Sequence, residues 1–406
     1  MKYVIALDQG TTSSRAVLID EIGNLIDIKQ KEFSQIFPNR GWVEHDPLEI
    51  LSSQIKVFED LLSSNSIDPK SIISLGITNQ RETTVLWDKD TGKPLYNAIV
   101  WQDKRTANIC EKIKKDGLEE YIKENTGLVV DSYFSATKIK WIIDNVDGVR
   151  DKVKKNKVLA GTIDSWLIYN LTSFKSHFTD FTNASRTMIF NIKSLKWDNK
   201  ILNYLDIPKS ILPNVLPSSS DFGTFNYNGC NIPIHGVAGD QQSALFGQAC
   251  FEDGMVKNTY GTGCFMLMYT AEKAPISEQG LLTTIACDPY GQPAYALEGA
   301  VFIAGAAIQW LRDQLNIIND ASEIEDLANS VEDNGGVTFI SALAGLGAPY
   351  WNPNATGAIM GITRGTQKGH IARAALEAIA LRSREIIIEM QKDSGTKFRK
   401  LKVDGG

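Results

Sequence analysis

Tyr3-Val4-Ile5-Ala6-Leu7-Asp8-Gln9-Gly10-Thr11-Thr12-Ser13-Ser14-Arg15-Ala16-Val17-Leu18-Ile19-Asp20 reads as two apolar runs joined by a turn of glycine and small hydroxyl residues. The first run ends on an acid, Asp8, and the second opens on a base, Arg15. A β-hairpin with such a turn is suited to holding phosphate: backbone N–H groups and two or three hydroxyls converge on an anion, Gly10 permits close approach, and Arg15 supplies a bidentate cation. A carboxylate at the strand end, Asp8, can hold Mg2+ against the same phosphates, directly or through water. A polar hairpin with no ligand is the plainer reading, and the two are compatible. The sequence has no G-x-x-x-x-G-K-[ST], so this clamp is not a Walker loop.

Outward from the hairpin, the pattern predicts a strand at 25–33, a helix over 47–64 opened by Asp46-Pro47, and a strand at 72–79 leading into Gln80-Arg81-Glu82. A strand pair at 83–87 and 98–101 and helices over 105–116, 117–125 and 135–145 complete an α/β first half. Residues 208–231, rich in proline, serine and turn formers, read as irregular chain. The pattern then restarts. Ile234-His235-Gly236-Val237-Ala238-Gly239-Asp240 again ends a small-residue strand on an acid, with a helix expected over 241–250. A further strand enters Gly261-Thr262-Gly263-Cys264 and continues as an apolar strand at 265–269, repeating the opening hairpin. One clamp per domain suggests an internal duplication that lets two domains grip a nucleotide. The domain boundary is expected near residue 248.

Composition bounds the function. At 406 residues the chain calls for roughly two domains of about 150–200 residues each. Net charge is −6 and the 42 basic residues are scattered, which excludes an electrostatic footprint for nucleic acid. The five cysteines, Cys110, Cys230, Cys250, Cys264 and Cys287, stand singly and match neither a disulfide framework nor a zinc site, which fits a reducing compartment. No apolar stretch reaches the ~18 residues of a membrane span, and the N-terminus leaves no room for a leader peptide, so the expected location is cytoplasmic.

Phosphoryl transfer needs a phosphate clamp, a metal held by carboxylate, a base for the attacking hydroxyl and groups that fix the acceptor. Asp240, ending a strand of small residues, is the base candidate, and Asp8 and Asp240 are the metal candidates. Either acid alone is more often a helix cap. Arg81 and Glu82 offer adjacent donors and acceptors for neighbouring hydroxyls; the alternative is a surface ion pair. Trp101 and Phe265 could each lay a ring on substrate carbons or sit in a core. The small-residue run around Gly305, opening a helix that carries Gln309, lets a flat ring or a neighbouring helix come close. His45, His177, His235 and His370 match no ligand spacing and receive no catalytic role.

Several longer segments carry a resemblance: 6–15, Gly41-Trp42-Val43-Glu44-His45-Asp46-Pro47, Gly76-Ile77-Thr78-Asn79-Gln80-Arg81-Glu82-Thr83-Thr84, Asn258-Thr259-Tyr260-Gly261-Thr262-Gly263, Tyr133-Phe134-Ser135-Ala136-Thr137-Lys138-Ile139-Lys140-Trp141, and 357–377. By these the whole chain resembles the carbohydrate-kinase family with the two-domain, α/β, actin-like ATPase (ribonuclease H-like) fold, and within it the kinases of glycerol. The resemblance implies ATP and Mg2+, with glycerol converted to sn-glycerol 3-phosphate. Thr11, Thr12 and Ser13 would bind nucleotide phosphates and Arg15 would approach the terminal one. Arg81, Glu82, Tyr133, Asp240 and Gln241 would bind glycerol, Trp101 and Phe265 would line its hydrocarbon side, and Asp240 would draw the proton from the attacking hydroxyl. Thr262, Gly305, Gln309 and Gly406 would serve the ATP side. Residues 1–248 would form the N-terminal domain and 249–406 the C-terminal, nucleotide-binding one, in a homo-oligomer, dimer or tetramer.

Two departures accompany the resemblance. The family pattern continues beyond Asp404-Gly405-Gly406 by about a hundred residues, the remainder of a domain of about 200, so the second domain is expected to be incomplete in this chain. Relatives inhibited by fructose bisphosphate carry an arginine, and others a phosphorylatable histidine, near 226–231; Asn226-Tyr227-Asn228-Gly229-Cys230-Asn231 has neither. The residues leave open a kinase of another polyol or ketose, and a non-catalytic or ATPase-only protein of the same fold.

Overall fold

The computed structural model describes residues 1–352 and 354–405. Two compact units emerge: Met1–Ser243 with Thr284–Ala294, and Ala244–Thr283 with Tyr295 onward. The position expected for the boundary, residue 248, lies within the second.

The first unit is built on a six-stranded sheet in the order Thr224–Tyr227, Cys230–Gly239, Ile72–Asn79, Tyr3–Gln9, Ser13–Asp20, Leu25–Glu32. Strands Tyr3–Gln9, Ile72–Asn79 and Cys230–Gly239 run parallel, and the remaining pairs are antiparallel. Alternation along the hairpin sends Ile5, Leu7, Ala16 and Leu18 into the core. There they join Val57, Phe58 and Leu61 of helix Pro47–Ser64 and Trp166 and Leu167 of helix Ile163–Leu171. The first of these helices starts where its cap dictates, with the Leu48 N–H donating to Asp46 Oδ1 at 2.8 Å and Pro47 in the first turn.

The second unit repeats the plan. Its sheet runs Pro293–Val301, which enters the unit at Tyr295, then Cys264–Ala271, Met255–Tyr260, Lys400–Gly405. Met255–Tyr260 pairs antiparallel with Cys264–Ala271 across the Gly261-Thr262-Gly263 turn and parallel with Lys400–Gly405. The same relations hold in the first unit for Tyr3–Gln9 with Ser13–Asp20 and with Ile72–Asn79. In each unit one long helix, Pro47–Ser64 or Lys368–Ser394, precedes the parallel strand. The duplicated hairpin expected from the sequence is thus present in both units.

Three local expectations need correction. Residues 208–231 are not wholly irregular, because Asn228 and Gly229, at φ +49° and +79°, make a two-residue turn that folds Thr224–Tyr227 onto Cys230–Gly239. The strand expected at 98–101 stops at Ile99, since the Asp103 N–H turns back to the Val100 carbonyl and frees Trp101 from the ladder. The helix expected over 241–250 spans Asp240–Gly247, closed by Cys250 N–H donating to the Leu245 carbonyl past a left-handed Ala249.

Candidate active site

Parallel strands carry their carboxyl ends to one edge of a sheet, which is where α/β sheets bind ligands. In the first unit Gln9, Asn79 and Gly239 stand side by side in register at that edge. The residues next to them, Asp8, Gln80-Arg81-Glu82 and Asp240, are the ones the sequence singled out.

Asp240 opens its helix with its carboxylate still 37% exposed, and Arg81 Nε holds Oδ1 at 3.3 Å. The Gln241 N–H also donates to Oδ1, at 2.8 Å, while the Arg81 Nη1 donates to Gln242 Oε1 at 3.2 Å. Gly239 permits this arrangement: a Cβ there would meet Arg81 Cδ at 2.7 Å. The strand end is anchored from behind, where the Gly239 N–H donates to Thr182 Oγ1 at 2.9 Å and that hydroxyl donates to Asp180 at 2.7 Å. Burial raises the Asp180 carboxyl above its ordinary range, opposed by hydrogen bonds from Ser218, Asn183 and Thr182.

Arg81 and Glu82 are both buried, which removes the surface-pair alternative. Glu82 sits at φ +62°, with its carbonyl accepting from the hydroxyls of Thr84 and Ser135. Its carboxylate accepts from Arg186 Nε at 2.6 Å, and the Arg186 guanidinium lies 5.7 Å from the Tyr133 ring centre. Tyr133 in turn meets Trp101 edge-on at 5.6 Å, and Trp101 Nε1 donates to Thr11 Oγ1 at 3.0 Å. A continuous chain of contacts therefore runs from the base candidate through the acceptor candidates to the phosphate turn.

Sequence reasoning missed two members of this assembly. Arg186 is fully buried although it reads as an ordinary basic residue in a polar run. Lys138, also fully buried, donates to the carbonyls of Ser132 (2.7 Å), Tyr133 (2.6 Å) and Phe134 (3.1 Å), fixing the backbone that presents Tyr133. Burial pulls its ammonium down to about 8. The available signal was its place five residues after Tyr133, within the first turn or so of helix Ser135–Asn145.

In the phosphate turn, the Gly10 N–H donates to the Ser13 carbonyl at 3.0 Å, leaving Thr12 exposed and Ser13 Oγ accepting from Gln30. Arg15 is 3.3 Å from Asp8. Burial, helped by the negative charge of Asp240 and opposed by Arg15, pushes the Asp8 carboxyl up to about 6. An acid raised by burial and by the charge of a second acid fits a site for Mg2+, which is bound by one or two carboxylates with the rest of its shell from phosphate and water. Among the described residues no group of three or more metal-binding side chains could hold an ion unaided.

Within the second unit, Thr262 is exposed on the hairpin turn and Phe265 half-buried on the strand that follows. The N–H groups of Ala304 and Ala306 donate to the Thr262 carbonyl at 2.8 and 3.1 Å, and that of Gly305 to the Gly261 carbonyl at 2.9 Å. A Cβ on Gly305 would meet the Gly261 oxygen at 2.7 Å, so only glycine fits. Gln309 lies exposed four residues along the same helix, on the face of Gly305. These three expected nucleotide-side residues are thus brought together. Gly406 lies outside the described residues.

Residues 3–247 match the N-terminal domain, and residues 256–406 the C-terminal domain, of the FGGY family of carbohydrate kinases. The chain is 59% identical over 410 residues to the glycerol kinase of Fusobacterium nucleatum, and 60% identical over 408 residues to glycerol kinase 2 of Thermotoga maritima. Each comparison covers 100% of this chain and 82% of the relative. The crystal structure of Plasmodium falciparum glycerol kinase with ADP matches at TM-score 0.92 and 38% identity, covering 100% of this chain and 82% of that one. A ligand-bound xylulose kinase from Lactobacillus acidophilus shares the fold, at TM-score 0.87 and 24% identity, over 100% of this chain and 81% of that one. The duplicated hairpin sheets, the acids at the strand ends and these likenesses agree: the chain belongs to the FGGY family of carbohydrate kinases.

Proposed function

We propose that the protein transfers the terminal phosphoryl group of ATP to glycerol, giving ADP and sn-glycerol 3-phosphate. The observation that carries this reading is Asp240: a carboxylate at the end of a parallel strand, oriented by buried Arg81 at 3.3 Å, yet exposed enough to meet a hydroxyl. In this reading Arg81, Glu82, Tyr133 and Gln241 hold the glycerol hydroxyls and Trp101 covers its carbons. Asp240 takes the proton of the attacking hydroxyl, whose oxygen forms the new bond to phosphorus as the bond to ADP breaks. Thr11, Thr12, Ser13 and Arg15 hold the phosphates, with Thr262, Gly305, Gln309 and Gly406 serving the nucleotide. Asp8 and Asp240 would hold Mg2+, which when bound neutralises charge on the phosphate oxygens.

On the same proposal, residues 1–248 form the acceptor and phosphate domain and 249–406 the nucleotide domain. The location is cytoplasmic, which the unbridged cysteines support. Among the described residues no helix is long and apolar enough to cross a membrane. Assembly into dimers or tetramers, as the resemblance implies, is readable by light scattering.

The test is glycerol-dependent ADP release by the chain and by Asp240→Asn. The expected loss in kcat is about 10²–10⁴-fold, the usual contribution of a general base, with calorimetric glycerol binding retained. ADP release that ignores glycerol would overturn the reading.

A further inference from the structure

The catalytic assignment leaves the motif Gly41-Trp42-Val43-Glu44-His45-Asp46-Pro47 unexplained, and its histidine is completely buried. His45 Nε2 lies 2.7 Å from Gln35 Oε1, and its Nδ1 lies 3.4 Å from Gln80 Nε2. An amide oxygen can only accept and an amide nitrogen only donate, so both contacts are satisfied by one form alone: a neutral ring carrying its proton on Nε2. Burial, which pulls His45 down to about 4, agrees with the neutral form.

The two glutamines then have no choice of orientation. With its oxygen given to His45, Gln35 turns its Nε2 to the Thr11 carbonyl at 3.1 Å. Gln80, whose oxygen accepts from Thr83 Oγ1 at 3.0 Å, turns its Nε2 to the Gly10 carbonyl at 3.0 Å. In a trans peptide the C=O and the following N–H point in opposite directions. Tying back the carbonyls of Gly10 and Thr11 therefore drives the N–H groups of Thr11 and Thr12 out of the other side of the turn. Among the described residues neither N–H has a protein acceptor.

The second hairpin turn reaches the same arrangement by different means. Its Gly261 and Thr262 carbonyls are tied back by the N–H groups of Ala304, Gly305 and Ala306, which turns the N–H groups of Thr262 and Gly263 outward. The two turns share the sequence Gly-Thr and the pinned carbonyls but not the pinning groups, so the pinning is a property of the turn and not an accident of one contact.

We propose that His45 is a positioning residue for phosphate: through the amides of Gln35 and Gln80 it fixes the peptide planes of the first hairpin turn, so that the N–H groups of Thr11 and Thr12 face the anion. The proposal rests on the turn being the phosphate site, as argued above.

Two measurements test it. A long-range 1H–15N spectrum of the histidine rings in the wild-type protein at neutral pH reads the tautomer without any substitution; a neutral Nε2–H ring is expected, and a charged or Nδ1–H ring for His45 overturns the proposal. Steady-state kinetics of His45→Phe, which keeps a buried ring but can neither donate nor accept, should raise KM for MgATP about tenfold, the scale of losing one or two buried hydrogen bonds, with KM for glycerol unchanged. A parallel rise in both KM values, or in neither, overturns it. Thr12→Pro, which removes the N–H that the proposal aims at the anion, serves as the control for the underlying reading. If it leaves KM for MgATP unchanged, the phosphate assignment of the turn itself fails; if it raises KM and His45→Phe does not, only the role of His45 fails.

Discussion

At the scale of single residues, burial decides what each charge does. Asp8 is raised to about 6 from an ordinary 3.8, chiefly because folding removes it from water. An acid whose folded value lies above its unfolded one favours folding only while protonated: its contribution is full below about 3.8 and is lost as pH climbs through about 6. Asp8→Asn should therefore melt at nearly the wild-type temperature near pH 4 and above it at pH 7 in the absence of ligand. A difference between the two proteins that stays constant across thermal scans at these pH values would refute this. The sequence made Asp8, Arg15 and Asp240 legible because acids and bases at the ends of apolar strands break a pattern. It hid Arg186, a lone base in a polar run, and Lys138, one of two lysines spaced along an amphipathic helix, because such residues look solvated until tertiary structure closes over them.

At the scale of elements, both hairpins and the helix over 47–64 were readable because their apolar spacing, glycines and caps all agree on one outcome. The Thr224–Tyr227 strand was not, since the prolines and serines before it mask a four-residue run. Its turn presents Asn226, Asn228 and Asn231, with Asn226 Nδ2 bonded to Asn231 Oδ1 at 2.9 Å, and no cation. A sugar bisphosphate, with two dianionic phosphate groups near neutral pH, finds nothing here to pair with. Titration of activity with fructose bisphosphate should show no inhibition at low concentration; inhibition there would mean that an anion site exists elsewhere on the molecule.

At the scale of the whole molecule, each unit has its own apolar core. One gathers Leu7, Leu18, Leu75 and Trp166, and another Val256, Met266, Leu297 and Ile386. Chains built this way depart from a single two-state transition. Calorimetry is expected to give a van't Hoff enthalpy below the calorimetric one, and Leu7→Ala, at about 2–5 kcal/mol for a buried leucine, should lower one component only. One sharp transition that shifts as a whole would show the units to be fully coupled. The two-unit plan was legible because the hairpin recurs. The return of 284–294 to the first unit was not, since chain that crosses back carries no local mark.

On the proposed assignment the phosphate turns hold their ligand largely with backbone N–H groups, whereas the acceptor candidates are side chains on three other loops, at 81–82, 101 and 133. Heredity can therefore act on the two separately. Codons for Gly10 to Ser13 are constrained by the shape of a peptide, and those for the acceptor loops only by the molecule to be recognised. A lineage carrying this fold can drift from one sugar or polyol to another through a few changes in those loops, keeping intact the machinery that handles phosphate.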